Sequence, residues 1–186
     1  AGGVGADRSV VEVLKVGTDH YPTEQVAEFA SDRHGPVELA EIAAAIGRMY
    51  SGYEDEALAI VELNSAGGGA NCQSDMRFKW GYNNLYLPKT ETAIDVRYAH
   101  RFGWMSSPGK RRNLVYRGTQ AFNAGDLLVN SPHLIEEMRD FRPELFEAKA
   151  AAASGKHDDR VMALFMAYLA AHEDRSEEHT SELQSH

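Results

Sequence analysis

The chain has 186 residues, of which 43% are hydrophobic, and it carries a formal net charge of −9. This is enough apolar material for one soluble domain with a real core, and no apolar run is long enough to cross a bilayer. The single cysteine, Cys72, excludes an internal disulfide and a cysteine-rich zinc site, and we expect it to be an ordinary semi-buried small residue.

The two ends of the sequence are considered apart from the fold. The opening "AGGVGADRS" has no initiating Met and no signal-peptide pattern, so we expect a fragment that begins mid-sequence. The closing "RSEEHTSELQSH", residues 175–186, is polar and without periodicity, and it resembles the translation of a sequencing adapter. We therefore expect residues 1–174 to form one partial domain and residues 175–186 to be an artefactual, disordered tail.

The first half of the chain predicts strands and then a helix. Residues 9–17 and 24–31 have the composition of two strands joined by a polar turn. Residues 34–53 predict a helix, because Pro36 suits a first helical turn and apolar residues recur on one face. The run "ALAIVELN" at residues 57–64 predicts a strand that is buried on both faces. Three glycines follow shortly after it, at residues 67–69, and indicate a tight exit from the strand.

The second half continues the alternation. Residues 70–81 predict a helix, followed by a short extended piece at 85–87. A further helix precedes a turn at Gly125 and a short strand at 127–130. Residues 161–170 are apolar on almost every side, which indicates a helix buried in a core. Together these elements predict one α/β or α+β domain.

Acidic residues stand at the ends of two predicted buried elements. Glu62 lies near the end of the predicted strand at residues 57–64. Ligands in open α/β sheets bind beyond the carboxyl ends of such strands. Asp158 and Asp159 precede the final helix. Such carboxylates can hold hard divalent cations, and two such ions can clamp a phosphodiester. They are equally compatible with a strand-end polar residue and a helix cap.

A local basic strip lies inside this acidic chain. No Asp or Glu occurs between Val96 and Gly125, whereas that stretch contains six cationic residues: Arg97, Arg101, Lys110, Arg111, Arg112 and Arg117. A basic strip beside metal-binding acids is the pattern expected of a phosphate track. A solvated loop without such a role explains the charges equally well.

Five segments in order carry a family resemblance: "IVELNSAGGGANCQSDM", "GYNNLYLP", "RFGWMSSPGKR", "AGDLLVNSPHLIEEMRDF" and "GKHDDRVMALFMAYLA". This order resembles the C-terminal nuclease domain of the large terminase subunit of tailed bacteriophages. The resemblance implies an α/β fold of the RNase H-like type, a mixed sheet flanked by helices. It also implies a two-metal endonuclease that uses Mg²⁺ or Mn²⁺ to cut concatemeric double-stranded DNA during genome packaging.

Carried over by position, the resemblance makes Glu62 and the adjacent pair Asp158 and Asp159 the catalytic metal ligands, and it leaves open which member of the pair binds the metal directly. A third acid of the family pattern belongs to the first, central strand, which we expect immediately upstream of Ala1; Asp7 is the nearest substitute but belongs to the turn that follows. Without that strand the sheet has unpaired ladder groups. We therefore expect the chain as written to be inactive and poorly soluble.

The resemblance also implies partners and a location. Lys110, Arg111 and Arg112, in a predicted loop, together with Arg101, would bind the phosphates of double-stranded DNA. The implied protein partners are an upstream ATPase motor of the same polypeptide, a portal and a small terminase subunit, in the cytoplasm of the infected bacterial host. No membrane association is expected.

Two other classes of protein fit the same residues less closely. Another RNase H-like nuclease, of the resolvase or transposase type, would also place carboxylates at strand and helix ends. A non-catalytic α/β binding domain would use Glu62 as a strand-end polar residue and the Asp158–Asp159 pair as a cap.

Overall fold

The chain alternates strands and helices, and the computed structural model describes residues 8–52, 55–63, 68–88, 102–141 and 158–173. Within these ranges the elements, in chain order, are β1 (Ser9–Lys15), β2 (Thr23–Ser31), α1 (Pro36–Met49), β3 (Glu62–Leu63), α2 (Gly69–Phe78), β4 (Trp104–Met105), α3 (Pro108–Ala124), β5 (Leu127–Leu128), α4 (Pro132–Asp140) and α5 (Asp159–Glu173). The predicted α/β class is confirmed at this level.

The strands of the described residues form two small sheets. The larger has the order β1-β2-β5, and β5 pairs in parallel with β2, with Leu127 opposite Thr23. β1 and β2 are joined by a turn that contains an antiparallel bridge between Thr18 and Tyr21, a connection too short for a parallel crossover. The second sheet pairs β3 with β4 in parallel.

The chain divides into two compact units. The first unit contains Ala1–Val11 and Phe29–Pro108, and the second contains Glu12–Glu28 and Gly109–His186. Glu62 therefore belongs to the first unit, whereas Asp158 and Asp159 belong to the second. None of the helices in the described ranges combines the length and the apolarity needed to cross a membrane.

The core of the first unit forms where α1 packs on α2. Pro36 occupies the first turn of α1, and the Gly35 amide donates to the Glu38 carboxylate at 3.1 Å, so the helix start is well capped. The buried residues of this core are Leu39, Ala40, Ala44, Cys72, Met76, Tyr82 and Leu85. Cys72 is only 2% exposed, so it is buried more completely than expected.

The core of the second unit is built around α5, as its apolar sequence predicted. Val161, Met162, Leu164, Phe165, Met166, Leu169 and Ala170 are all buried. The Phe165 ring lies against Gly118 of α3, where a side chain as small as a methyl group would collide with it. The ring of Phe141 also contacts Phe165, edge-on and with centroids 6.1 Å apart.

Two sequence predictions need correction. The run at 57–64 is not a strand buried on both faces: of its described residues, 57–63, only Glu62–Leu63 is a strand, Ala59 forms an isolated bridge with Leu85, and Leu58 is 41% exposed. An apolar run by itself does not reveal how many of its faces a neighbour covers. The predicted loop at 103–112 is also wrong, because α3 begins at Pro108, which suits a first helical turn.

Candidate functional site

Glu62 stands on the short strand β3, opposite Trp104 of β4. Its side chain is half-buried, and its Oε1 atom is buried without a hydrogen-bond partner among the residues that the structure describes. Burying a carboxylate oxygen without a donor costs free energy unless a proton or a cation compensates it. Glu62 thus offers an oxygen that is suited to a cation.

The start of α2 holds the Glu62 backbone in place. Gly69 packs so closely on the Glu62 carbonyl that an added Cβ would overlap the oxygen, and Gly68 before it has a left-handed backbone with φ of 71°. Glycine is favoured at both positions for these two separate reasons. The glycines that follow VELN therefore serve a close approach of helix to strand, and not only an exit from the strand.

Asp158 and Asp159 lie at the start of α5, as the sequence predicted. The amide of Met162 donates to the Asp158 carbonyl at 2.9 Å, which is the first turn of the helix. The Asp158 carboxylate lies 3.9 Å from the Arg111 guanidinium of α3, and these side chains are 22% and 36% exposed, respectively. Arg111 therefore partly neutralises one member of the acidic pair.

A carboxylate from another helix caps the start of α5. Glu137 of α4 accepts hydrogen bonds from the amides of Arg160 at 2.7 Å and Val161 at 3.1 Å. These amides belong to the first turn, whose N–H groups have no acceptor within the helix. Glu137 thereby links the first turn of α5, where Asp158 and Asp159 lie, to α4.

The basic residues proposed for DNA divide into two kinds. Lys110 and Arg112 are on the first turns of α3 and reach the surface, whereas Arg111 is half-buried and faces Asp158. Arg101 lies outside the described residues. The three described residues of this group, Lys110, Arg111 and Arg112, therefore lie on a helix, which fixes their spacing better than a loop would.

Several predicted residues and segments lie outside the described ranges. These are Asp7, Asn64 of the VELN segment, Arg97 of the basic strip and the tail 175–186. Within the described ranges, no group of three or more His, Cys, Asp or Glu side chains is arranged to hold a metal ion.

Sequence reasoning missed a buried ionic cluster in the second unit. Its members are Glu12 of β1, Glu28 of β2, Glu137 of α4 and Arg160 of α5. A signal was present, because Glu12 and Glu28 each interrupt an otherwise apolar stretch of strand, "VVEVL" and "VAEFA". A lone acid within such a stretch indicates either an exposed face or a buried partner; here Glu28 pairs with Arg160, and Glu12 accepts a hydrogen bond from the Gln25 amide.

Comparison with known proteins leaves these residues to be interpreted by their chemistry. No model of a known protein family matches the chain, and no curated protein sequence matches it.

Proposed function

We propose that this chain is part of an RNase H-like nuclease domain of a terminase large subunit, a metal-dependent endonuclease that cuts concatemeric double-stranded phage DNA. The observation that carries the proposal is the buried Oε1 atom of Glu62, which has no donor among the described residues and stands on a parallel strand. A hard cation is the natural counterpart of a buried carboxylate oxygen without a donor.

Glu62, Asp158 and Asp159 would be the residues that hold Mg²⁺ or Mn²⁺, as the family resemblance suggests. When bound, two such ions supply an activated water and stabilise the leaving oxygen of the cut strand. Three carboxylates are a suitable donor set for these hard cations. Arg111 would moderate the negative charge of Asp158 while the carboxylate has no cation beside it.

Binding of DNA would use the phosphate backbone. Lys110 and Arg112, on the first turns of α3, would give affinity that depends on salt but not on sequence. Arg101 would add to the same track. The partners would be double-stranded DNA, the ATPase motor of the same polypeptide, a portal and a small terminase subunit, all in the cytoplasm of the infected host.

Metal-dependent cleavage of supercoiled plasmid tests the proposal. The assay uses the 186-residue chain and, in parallel, a longer chain that includes any residues encoded upstream of Ala1. In the longer chain, Glu62→Gln and Asp159→Asn should abolish cleavage while the far-ultraviolet circular dichroism is retained. Replacing Glu41, an exposed acid of α1, by Gln is the matched control and should leave cleavage unchanged.

The outcomes separate the classes of protein. Absence of cleavage in every form, with Mn²⁺ as well as Mg²⁺, would favour a non-catalytic binding domain. Cleavage that survives both Glu62→Gln and Asp159→Asn would show that other residues hold the metal. Cleavage confined to branched DNA junctions would point instead to a resolvase-type enzyme.

A further inference from the structure

A single arginine serves the buried carboxyl groups of the second unit. Nε of Arg160 lies 2.9 Å from Glu28 Oε1, and its Nη1 lies 3.3 Å from Glu137 Oε2. The three side chains are 11%, 14% and 6% exposed, respectively. Glu12 completes the group through its contact with Glu28. Three ionised carboxylates beside one guanidinium would leave two negative charges uncompensated in a place that is poorly hydrated.

The hydrogen bonds show which carboxyl groups have a donor for each of their two oxygens. Glu137 accepts from two backbone amides and from Arg160, so both of its oxygens have donors. Glu12 accepts one hydrogen bond, from the Gln25 amide to its Oε2 at 2.6 Å. Within the described residues, the buried atoms Glu12 Oε1 and Glu28 Oε2 have no donor.

A single proton on one of these carboxyl groups supplies a missing hydrogen-bond donor and reduces the excess negative charge. An ionised carboxylate can only accept hydrogen bonds, whereas a protonated one also donates. A proton on Glu12 allows it to donate to Glu28, and it removes one of the two uncompensated charges. Glu28 keeps its bond to Arg160.

We propose that Glu12 and Glu28 share one proton, carried by Glu12, and that loss of this proton loosens the attachment of α5 to β2 within the second unit. The groups that face Glu12 are Gln25 and Glu28 from β2 and Arg160 from α5, with Glu137 of α4 behind Arg160. Once Glu12 ionises, it repels Glu28, the residue through which β2 holds Arg160. This proposal does not depend on the proposed nuclease activity.

The pKa of Glu12 sets the pH range in which the proton is lost. Burial, reinforced by the neighbouring Glu28, raises the pKa of Glu12 from 4.5 to about 8, although the Gln25 hydrogen bond opposes the rise. Because the folded pKa lies above the unfolded one, the contribution to stability is complete below pH 4.5 and is lost as the pH rises to about 8. One linked proton changes the unfolding equilibrium constant by at most about tenfold for each pH unit.

Infrared spectroscopy of the full chain tests the shared proton directly. A buried protonated carboxyl absorbs apart from ionised carboxylates, so we expect one such band at pH 7 that disappears with a midpoint near pH 8. Glu12→Gln should remove the band. Glu28→Gln should shift the midpoint of the band to lower pH, because it removes the repulsion between the two carboxylates and because the amide that replaces the Glu28 carboxyl can donate to an ionised Glu12. Absence of the band in the wild-type chain at pH 7 would overturn the proposal.

Hydrogen exchange of α5 peptides tests the loosening. Exchange in the wild type, corrected for its intrinsic pH dependence, should accelerate between pH 6 and pH 8.5, whereas Glu12→Gln should lose this acceleration. The matched control is Glu136→Gln, which removes the same charge from an exposed position of α4 and should behave as the wild type. An acceleration that is identical in Glu12→Gln and the wild type would refute the loosening.

Discussion

Replacing Arg160 by Met should strongly destabilise the second unit at neutral pH. The substitution keeps an unbranched apolar side chain of comparable length but removes the guanidinium that serves Glu28 and Glu137. Both carboxylates then lie buried without a counter-charge. Removing one partner of a buried ion pair costs about 3–5 kcal/mol.

The hydrogen bonds of the two carboxylates indicate that the loss of stability in Arg160→Met lies at the lower end of that range. Glu137 keeps its two backbone donors after the substitution, whereas Glu28 loses its one described donor. We therefore expect a loss of about 3 kcal/mol at pH 7.5. Burial raises the pKa of Glu137 even in the presence of Arg160, and without Arg160 this carboxyl group takes up a proton still more readily. The loss should accordingly shrink at pH 5.

Urea unfolding followed by circular dichroism at pH 7.5 and pH 5 measures the loss, and hydrogen exchange of α4 and α5 peptides assigns it to the second unit. Arg33→Met is the matched control: Arg33 lies 3.9 Å from Asp32, but these side chains are 90% and 71% exposed. Such a surface pair contributes little, so no measurable change is expected. A loss below about 1 kcal/mol for Arg160→Met, or an equal loss at both pH values, would refute the reasoning.

The remaining predictions concern packing and reactivity. Gly118→Ala should destabilise the chain by about 1–3 kcal/mol in urea unfolding, because the Phe165 ring fills the space, whereas Gly109→Ala on the same helix has no described atom within 4 Å and should be neutral or slightly stabilising. Gly69→Ala should be similarly costly, since the Glu62 carbonyl must move; a melting temperature equal to that of the wild type would contradict this contact. Burial raises the pKa of the only thiol, Cys72, to about 11, so alkylation at pH 8 should be slow in the folded chain and should become fast only in urea concentrations that unfold the first unit.

The sequence predicted those elements whose local pattern is strong. α1 is recognisable from Pro36 and an apolar face, and α5 from a run of apolar residues that could only be buried. The extent of β3 was not predictable, because the same apolar run at 57–64 fits a long buried strand or a short half-covered one. The start of α3 at Pro108 was missed, since its polar first turns lack an apolar pattern that would distinguish them from a loop.

For the candidate site, the sequence by itself determined the kinds of side chain and the ends of elements at which they stand: Glu62 on a strand, and Asp158 and Asp159 at the mouth of a helix. Only the tertiary structure decided what surrounds them. Arg111 faces Asp158, while Glu137 caps α5. These contacts join residues that are far apart along the chain, and no local periodicity encodes such a contact because it depends on which elements pack together.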